Sequence, residues 1–124
     1  MKVISTTSAP SAIGPYSQAI QVCNLLYTSG QIPIDPATGT FPEGGIQVQA
    51  RQSLSNVRAI LEEAGLNMNH VVKTTVFLAD MNDFAEVNNI YAEFFSAPYP
   101  ARSAVAVKSL PKGALIEIEV VAYK

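Results

Sequence analysis

Hydrophobic positions in this chain follow a two-residue period at both ends and a three-to-four-residue period twice in between. Lys2 to Thr6 reads as a short edge strand. Gln18 to Val22 and Leu25 to Gln31 read as two short strands joined by a turn at Cys23-Asn24. Before them, Ala9 to Tyr16 carries Pro10, Gly14 and Pro15 and reads as an ordered loop. After them, Pro33, Pro36, Gly39, Pro42, Gly44 and Gly45 make the stretch from Pro33 to Gly45 a loop as well. The period then changes. Ile46, Ala50, Leu54, Val57, Ile60 or Leu61, and Ala64 lie on one face of a helix, with Gly65 where a left-handed cap belongs. Val71 to Leu78 is β-branched and aromatic, hence a strand. Phe84, Val87, Ile90 or Tyr91, and Phe94 predict a second amphipathic helix. Asp83 and Glu86 are spaced as a capping box at its start, and Pro98 and Pro100 lie beyond its end. Arg102 to Lys108 and Leu115 to Tyr123 predict two last strands around Pro111-Lys112-Gly113.

The predicted order is β-β-β-α-β-α-β-β in a single α+β domain spanning residues 1–124. Two helices cover only one face of such a sheet. In the last strand Ile116, Ile118, Val120 and Ala122 alternate onto one face, assigned to the helices. Leu115, Glu117, Glu119, Val121 and Tyr123 share the other. That second face is too apolar for open water and predicts sheet-to-sheet association between subunits.

Composition sharpens this picture. The chain is 48% hydrophobic and only 15% charged, low for the surface of a small monomer and in keeping with an oligomer. A net charge of -2 and the absence of a basic cluster argue against nucleic acid as the main partner. No charged-then-apolar leader is visible, and no apolar run approaches the roughly 20 residues that span a bilayer. Cys23 is the only cysteine, so an intramolecular disulfide is excluded and a reducing, cytoplasmic compartment is expected. His70 is the only histidine and reads as a surface residue; with Cys23 far away, no metal site is predicted.

The candidate chemistry is a pair of charges. Arg102 opens one apolar strand, and its guanidinium is a fork for a carboxylate. Glu117 sits among isoleucines, where partial burial pushes a carboxyl toward a pKa useful for proton transfer. Together they read either as an anchor and a proton-transfer group for a small organic acid, or as an ion pair in a sheet or subunit interface. Both lie near the starts of successive strands. If those strands run antiparallel, their starts are roughly 15–20 Å apart. One small acid cannot touch both in one subunit, so a shared site must cross a subunit boundary.

The same residues lie in segments that closely resemble one family. Ala9 to Ala19 (Ala-Pro-Ser-Ala-Ile-Gly-Pro-Tyr-Ser-Gln-Ala), Thr28 to Pro33, Asn56 to Gly65, Val72 to Phe77, Pro100 to Ser103 and Ile116 to Glu119 resemble, in order and spacing, the RidA (YjgF-type) enamine/imine deaminases. The resemblance covers nearly the whole chain. It implies a chorismate-mutase-like fold: one mixed sheet with two helices on one face, assembled as a homotrimer. The three sheets form a central barrel, with clefts between subunits.

It also implies cofactor-free hydrolysis of 2-aminoacrylate, 2-iminobutyrate and similar species to 2-ketoacids and ammonia. Pyridoxal-phosphate dehydratases release such substrates. Carried over residue by residue, Arg102 matches the arginine that grips the substrate carboxylate, and Glu117 the acid that positions or activates water. Tyr16 matches the loop tyrosine of the cleft. Gly30 and Ser29 match a strand end whose main chain faces the ligand. Asn88 resembles an asparagine near the cleft of the adjoining subunit. Many relatives have a cysteine two residues after the arginine; here Ala104 stands there, so only its backbone N–H remains to bind a carboxylate oxygen. Tyr16 also reads as a residue packing its Pro-rich loop, and Gly30 as a purely conformational glycine. The alternative function is a non-catalytic trimer that senses small carboxylates or binds proteins, in a translation-, RNA- or chaperone-related role.

Overall fold

The protein is described by a computed structural model covering residues 1–124. Its elements are β1 (Lys2–Ile4), β2 (Ala19–Val22), β3 (Leu25–Thr28), α1 (Ile46–Glu63), β4 (Val71–Leu78), α2 (Phe84–Phe94), β5 (Ala101–Ala106) and β6 (Ile116–Tyr123). This is the predicted order. The six strands form one mixed sheet in the order β1-β2-β3-β6-β4-β5. The last strand of the chain thus lies inside the sheet, antiparallel to both β3 and β4, while β5 runs parallel to β4 at the edge.

The alternation in β6 sorts its side chains as its sequence requires. Ile116, Ile118, Val120 and Ala122 are at most 2% exposed and face the helices. Each of the branched ones contributes about 1.5–3 kcal/mol by leaving water. They meet Ala50, Leu54, Val57, Ile60 and Leu61 of α1 and Val87 and Ile90 of α2 in one core. The opposite face, with Tyr27, Val105 and Tyr123 each about half exposed, has no covering layer within the chain.

Helix α1 stops where Gly65 takes φ +76°, with Gly65 N–H donating to Glu62 O and Leu66 N–H to Leu61 O. These two bonds satisfy the last carbonyls of the helix, as a left-handed cap does. The start of α2 differs from expectation. Asp83 is already helical (φ -81°, ψ -5°) and its side chain makes no cap bond, so the Asp83/Glu86 capping box does not form. A 3₁₀ turn over Met81–Asp83 runs straight into α2, and the capping acceptor is Asp80, whose Oδ1 accepts from Asn82 N–H at 2.9 Å. The chain enters helical geometry one turn earlier than the spacing implied.

One geometric premise also needs correction. β5 and β6 do run in opposite directions, but β4 lies between them. Arg102 pairs with Thr74 and Glu117 with Phe77, three residues further along β4. Two strand spacings and three residues put their Cα atoms roughly 14 Å apart. They also point to opposite faces of the sheet, because Thr74 faces the helices and Phe77 faces away. The distance is slightly shorter than strand length alone implied, and it is the opposite faces that keep the two side chains apart within one chain.

Candidate functional site

The predicted residues fall into two groups. The first surrounds Arg102 on the helix side of edge strand β5. Its guanidinium carbon lies 5.0 Å from the Phe84 ring centroid and 4.8 Å from that of Tyr91. Its Nη1 donates to Asn88 Oδ1 at 2.7 Å. Phe84, Asn88 and Tyr91 all come from α2 at spacings of three or four, which put them on one helix face. Each ring face contributes about 0.5–1 kcal/mol to an exposed cation. The Tyr91 hydroxyl is in turn tied to Thr74 Oγ1 at 2.9 Å. Burial raises the Tyr91 pKa, against the opposing pull of the Thr74 bond and the Arg102 charge, so the phenol stays neutral beneath the guanidinium.

The result is a long cationic side chain held from below and from one side. Arg102 lines a cleft of about 440 Å³ that Tyr99 and Pro100 also line. Ala104 is close by on the same strand face. Val107 N–H bonds inward to Leu78 O. The alternation of a parallel ladder then turns the N–H groups of Val105 and Ser103 inward and that of Ala104 outward, to the free sheet edge.

The second group surrounds Glu117 on the open sheet face, in a cleft of about 540 Å³ lined by Tyr16, Ser29, Gly30, Ile32, Lys112 and Glu117, among others. The Glu117 carboxylate makes no hydrogen bond within the chain and lies against the backbone of Gly30. A Cβ on Gly30 would collide with its Oε1 and Cδ. Gly30 is therefore needed for close approach; unlike Gly65, it does not have a positive φ. The Glu117 pKa is raised, first by burial and then by the charge of Glu119 two residues along the same face.

Hydrogen bonds hold the floor of this cleft in place. Gln31 exchanges both backbone bonds with Ile118, at 2.8 and 3.1 Å. Ser29 Oγ donates to Ser17 O at 2.6 Å. Tyr16 is exposed, with its hydroxyl accepting a long bond (3.4 Å) from Ile13 N–H.

Asn88 thus sits with Arg102 and Ala104, and Tyr16, Ser29 and Gly30 with Glu117. Neither group touches the other in one chain. The two clefts are of opposite chemistry: a prearranged cation in one, and a carboxyl with a raised pKa in the other.

Sequence reasoning missed the residues that support both. Tyr91 and Phe84 read as core. Gln18 and Asn56, 3% and 1% exposed, carry no apolar signal. Asn56 Nδ2 donates to Ile32 O and Ile34 O, pinning the loop beside Gly30 to α1. Its legible traces were its place in a helix otherwise marked by apolar period and at the head of the Asn56–Gly65 segment that carries the family resemblance. Gln49 similarly accepts from Leu115 N–H at the entry to β6. His70, half buried, accepts from Asn67 N–H and closes a small capping box before β4. No three His, Cys, Asp or Glu side chains come together, and no helix is long and apolar enough to cross a membrane.

Residues 6–124 match the family described as Endoribonuclease L-PSP. A RutC family protein of Pyrococcus horikoshii is 58% identical over 99% of this chain and 98% of its own length. The 2-iminobutanoate/2-iminopropanoate deaminase of Mus musculus is 54% identical over 99% of this chain and 91% of its own. The crystal structure of E. coli TdcF with bound serine is 48% identical with a TM-score of 0.96, covering 100% of this chain and 99% of that one. With the mixed sheet, the half-covered core and end-to-end similarity in agreement, the chain belongs to the RidA (YjgF-type) family.

Proposed function

We propose that this protein hydrolyses small carboxylate-bearing enamines and imines, such as 2-aminoacrylate and 2-iminobutyrate, to 2-ketoacids and ammonia. It works as a homotrimer, with Arg102, Asn88 and Ala104 of one subunit facing Glu117, Tyr16, Ser29 and Gly30 of the next. The observation that carries this reading is the separation of two complementary groups: a stacked guanidinium lining one cleft, and an unpaired carboxyl of raised pKa in another that cannot reach it in its own chain. The apolar open sheet face and the free edge of β5 support assembly. The named deaminase among the relatives and the amino acid bound to TdcF support the substrate class. The lone cysteine fits a reducing, cytoplasmic setting.

The chemistry follows from the groups present. The Arg102 fork and the Ala104 N–H bind the two carboxylate oxygens and so place the neighbouring carbon. An enamine first takes a proton from solvent at its terminal carbon and becomes the iminium. Glu117 as carboxylate accepts a proton from water while the oxygen adds to the iminium carbon, giving a carbinolamine. The protonated Glu117 then passes that proton to the amino nitrogen. As the C–N bond breaks and the C=O bond forms, the hydroxyl proton goes back to Glu117 and ammonia leaves. One such acid/base group contributes typically about 10²–10⁴-fold. That suffices for substrates that also hydrolyse unaided.

The test couples purified protein to a threonine dehydratase and follows 2-ketobutyrate release. Acceleration beyond the spontaneous rate is expected. Its absence, with retained 2-ketobutyrate binding, would replace this reading with the non-catalytic sensor.

A further inference from the structure

One side chain ties together much of the cleft around Glu117. Gln18 opens onto β2, is 3% exposed, and spends its whole amide on the preceding loop. Its Oε1 accepts from Thr6 N–H at 2.7 Å. Its Nε2 donates to Thr6 O at 3.0 Å and Pro10 O at 2.7 Å, with a longer contact to Ala9 O at 3.4 Å. The pair of bonds to Thr6 imitates a peptide pairing in a sheet; the bond to Pro10 holds the point where the loop turns toward Ser11, Ile13 and Tyr16.

The main chain of Gln18 serves the other wall. Its carbonyl accepts from Ser29 N–H at 2.8 Å, and Ser29 Oγ bonds the adjacent Ser17 O. Gly30, which lies against the Glu117 carboxylate, follows directly. Gln18 is thus the joint between the loop that presents Tyr16 and the strand end that supports Glu117. A carboxylate of the same shape lacks both donors. An apolar side chain leaves Thr6 N–H and the Thr6 and Pro10 carbonyls, all partly buried, without the partner they have here.

We infer that Gln18 is a positioning residue of this cleft, setting the place of Tyr16 relative to Glu117 through the Thr6–Pro10 loop. The inference rests on the deaminase reading for its kinetic consequence, but not for its structural one.

The structural consequence is read on the unmodified protein by amide hydrogen exchange. Thr6 N–H, outside any regular element, exchanges as slowly as the paired amides of β1 and β2. Exchange at the rate of an exposed loop amide overturns the inference. The kinetic consequence is read with Gln18→Met, which keeps length and bulk, and with Gln18→Glu, which keeps only the acceptor. Each lowers kcat/KM about tenfold or more, since small displacements of catalytic groups are costly. In a Tyr16→Ala background the same substitutions cost less than about twofold, because the residue they act through is gone.

A merely structural role reduces the active fraction equally in both backgrounds, so equal losses contradict the inference. Should neither variant fold, the Thr6 exchange rate still decides. Should the unmodified protein show no turnover, the deaminase reading fails, and slow or fast exchange at Thr6 judges Gln18 separately.

Discussion

Arg102 and Glu117 owe their chemistry to what surrounds them, and in each case the surroundings can be changed by one substitution. Arg102→Lys retains the charge but loses the planar fork and its stacking between Phe84 and Tyr91. Turnover of 2-iminobutyrate falls roughly tenfold or more. Near-normal kcat/KM in that variant contradicts the anchor role. Burial first, and the like charge of Glu119 second, raise the Glu117 pKa, so Glu119→Gln lowers it in part. If Glu117 acts as carboxylate, activity rises with pH along an acid limb set by this group. In Glu119→Gln that limb moves to lower pH; an unmoved limb in a pH–rate profile removes Glu117 from the role. Gly30→Ala puts a Cβ where the Glu117 carboxylate lies. Turnover drops while 2-ketobutyrate binding, which depends on Arg102, persists; unchanged kcat refutes the contact as functional. At this scale the two charges were legible because each stands in an apolar strand. Gln18, Asn56 and the rings beneath Arg102 were not, because a polar residue buried by hydrogen bonds to backbone, or an aromatic that serves both core and site, leaves no periodic mark.

Secondary structure transmits these arrangements. Helix α1 buries a polar line alongside its apolar one, with Gln49, Ser53 and Asn56 at most 8% exposed. Two of them hold the cleft from behind: Gln49 at the entry to β6 and Asn56 at Ile32 and Ile34. Asn56→Leu leaves two carbonyls without their donor and destabilises the chain by about 2 kcal/mol or more. Urea denaturation reads this as a lower midpoint at unchanged slope; an unchanged midpoint shows that the loop carbonyls find other partners. Element type and order were readable throughout, since the periods of two and of three to four are unmistakable here. The sheet order was not. Inserting β6 between β3 and β4 depends on contacts far apart in sequence, and the registers of β5 and β6 on β4 together put Arg102 and Glu117 on opposite faces. The start of α2 was misread because a 3₁₀ turn capped by Asp80 runs into the helix, which the spacing of Asp83 and Glu86 does not reveal.

For the molecule as a whole, one chain leaves two matters unfinished. One sheet face carries partly exposed Tyr27, Val105 and Tyr123 with no covering layer, and each cleft holds half of the chemistry. The proposed assembly resolves both: copies of the same chain meet through that face, so that Arg102 of one subunit addresses Glu117 of the next. The apolar alternation of β6 made the uncovered face legible in the sequence; the way subunits meet lies beyond what any spacing encodes. Complementation tests this directly. Arg102→Ala and Glu117→Gln assemblies, each inactive alone, are unfolded, mixed in equal amounts and refolded together. If each site takes its arginine and its glutamate from different chains, random closed assembly makes about one quarter of the sites fully wild type, and deaminase activity returns to about that fraction. If the mixture forms mixed assemblies by mass and stays inactive, both residues belong to one chain's site and the shared-site account is wrong.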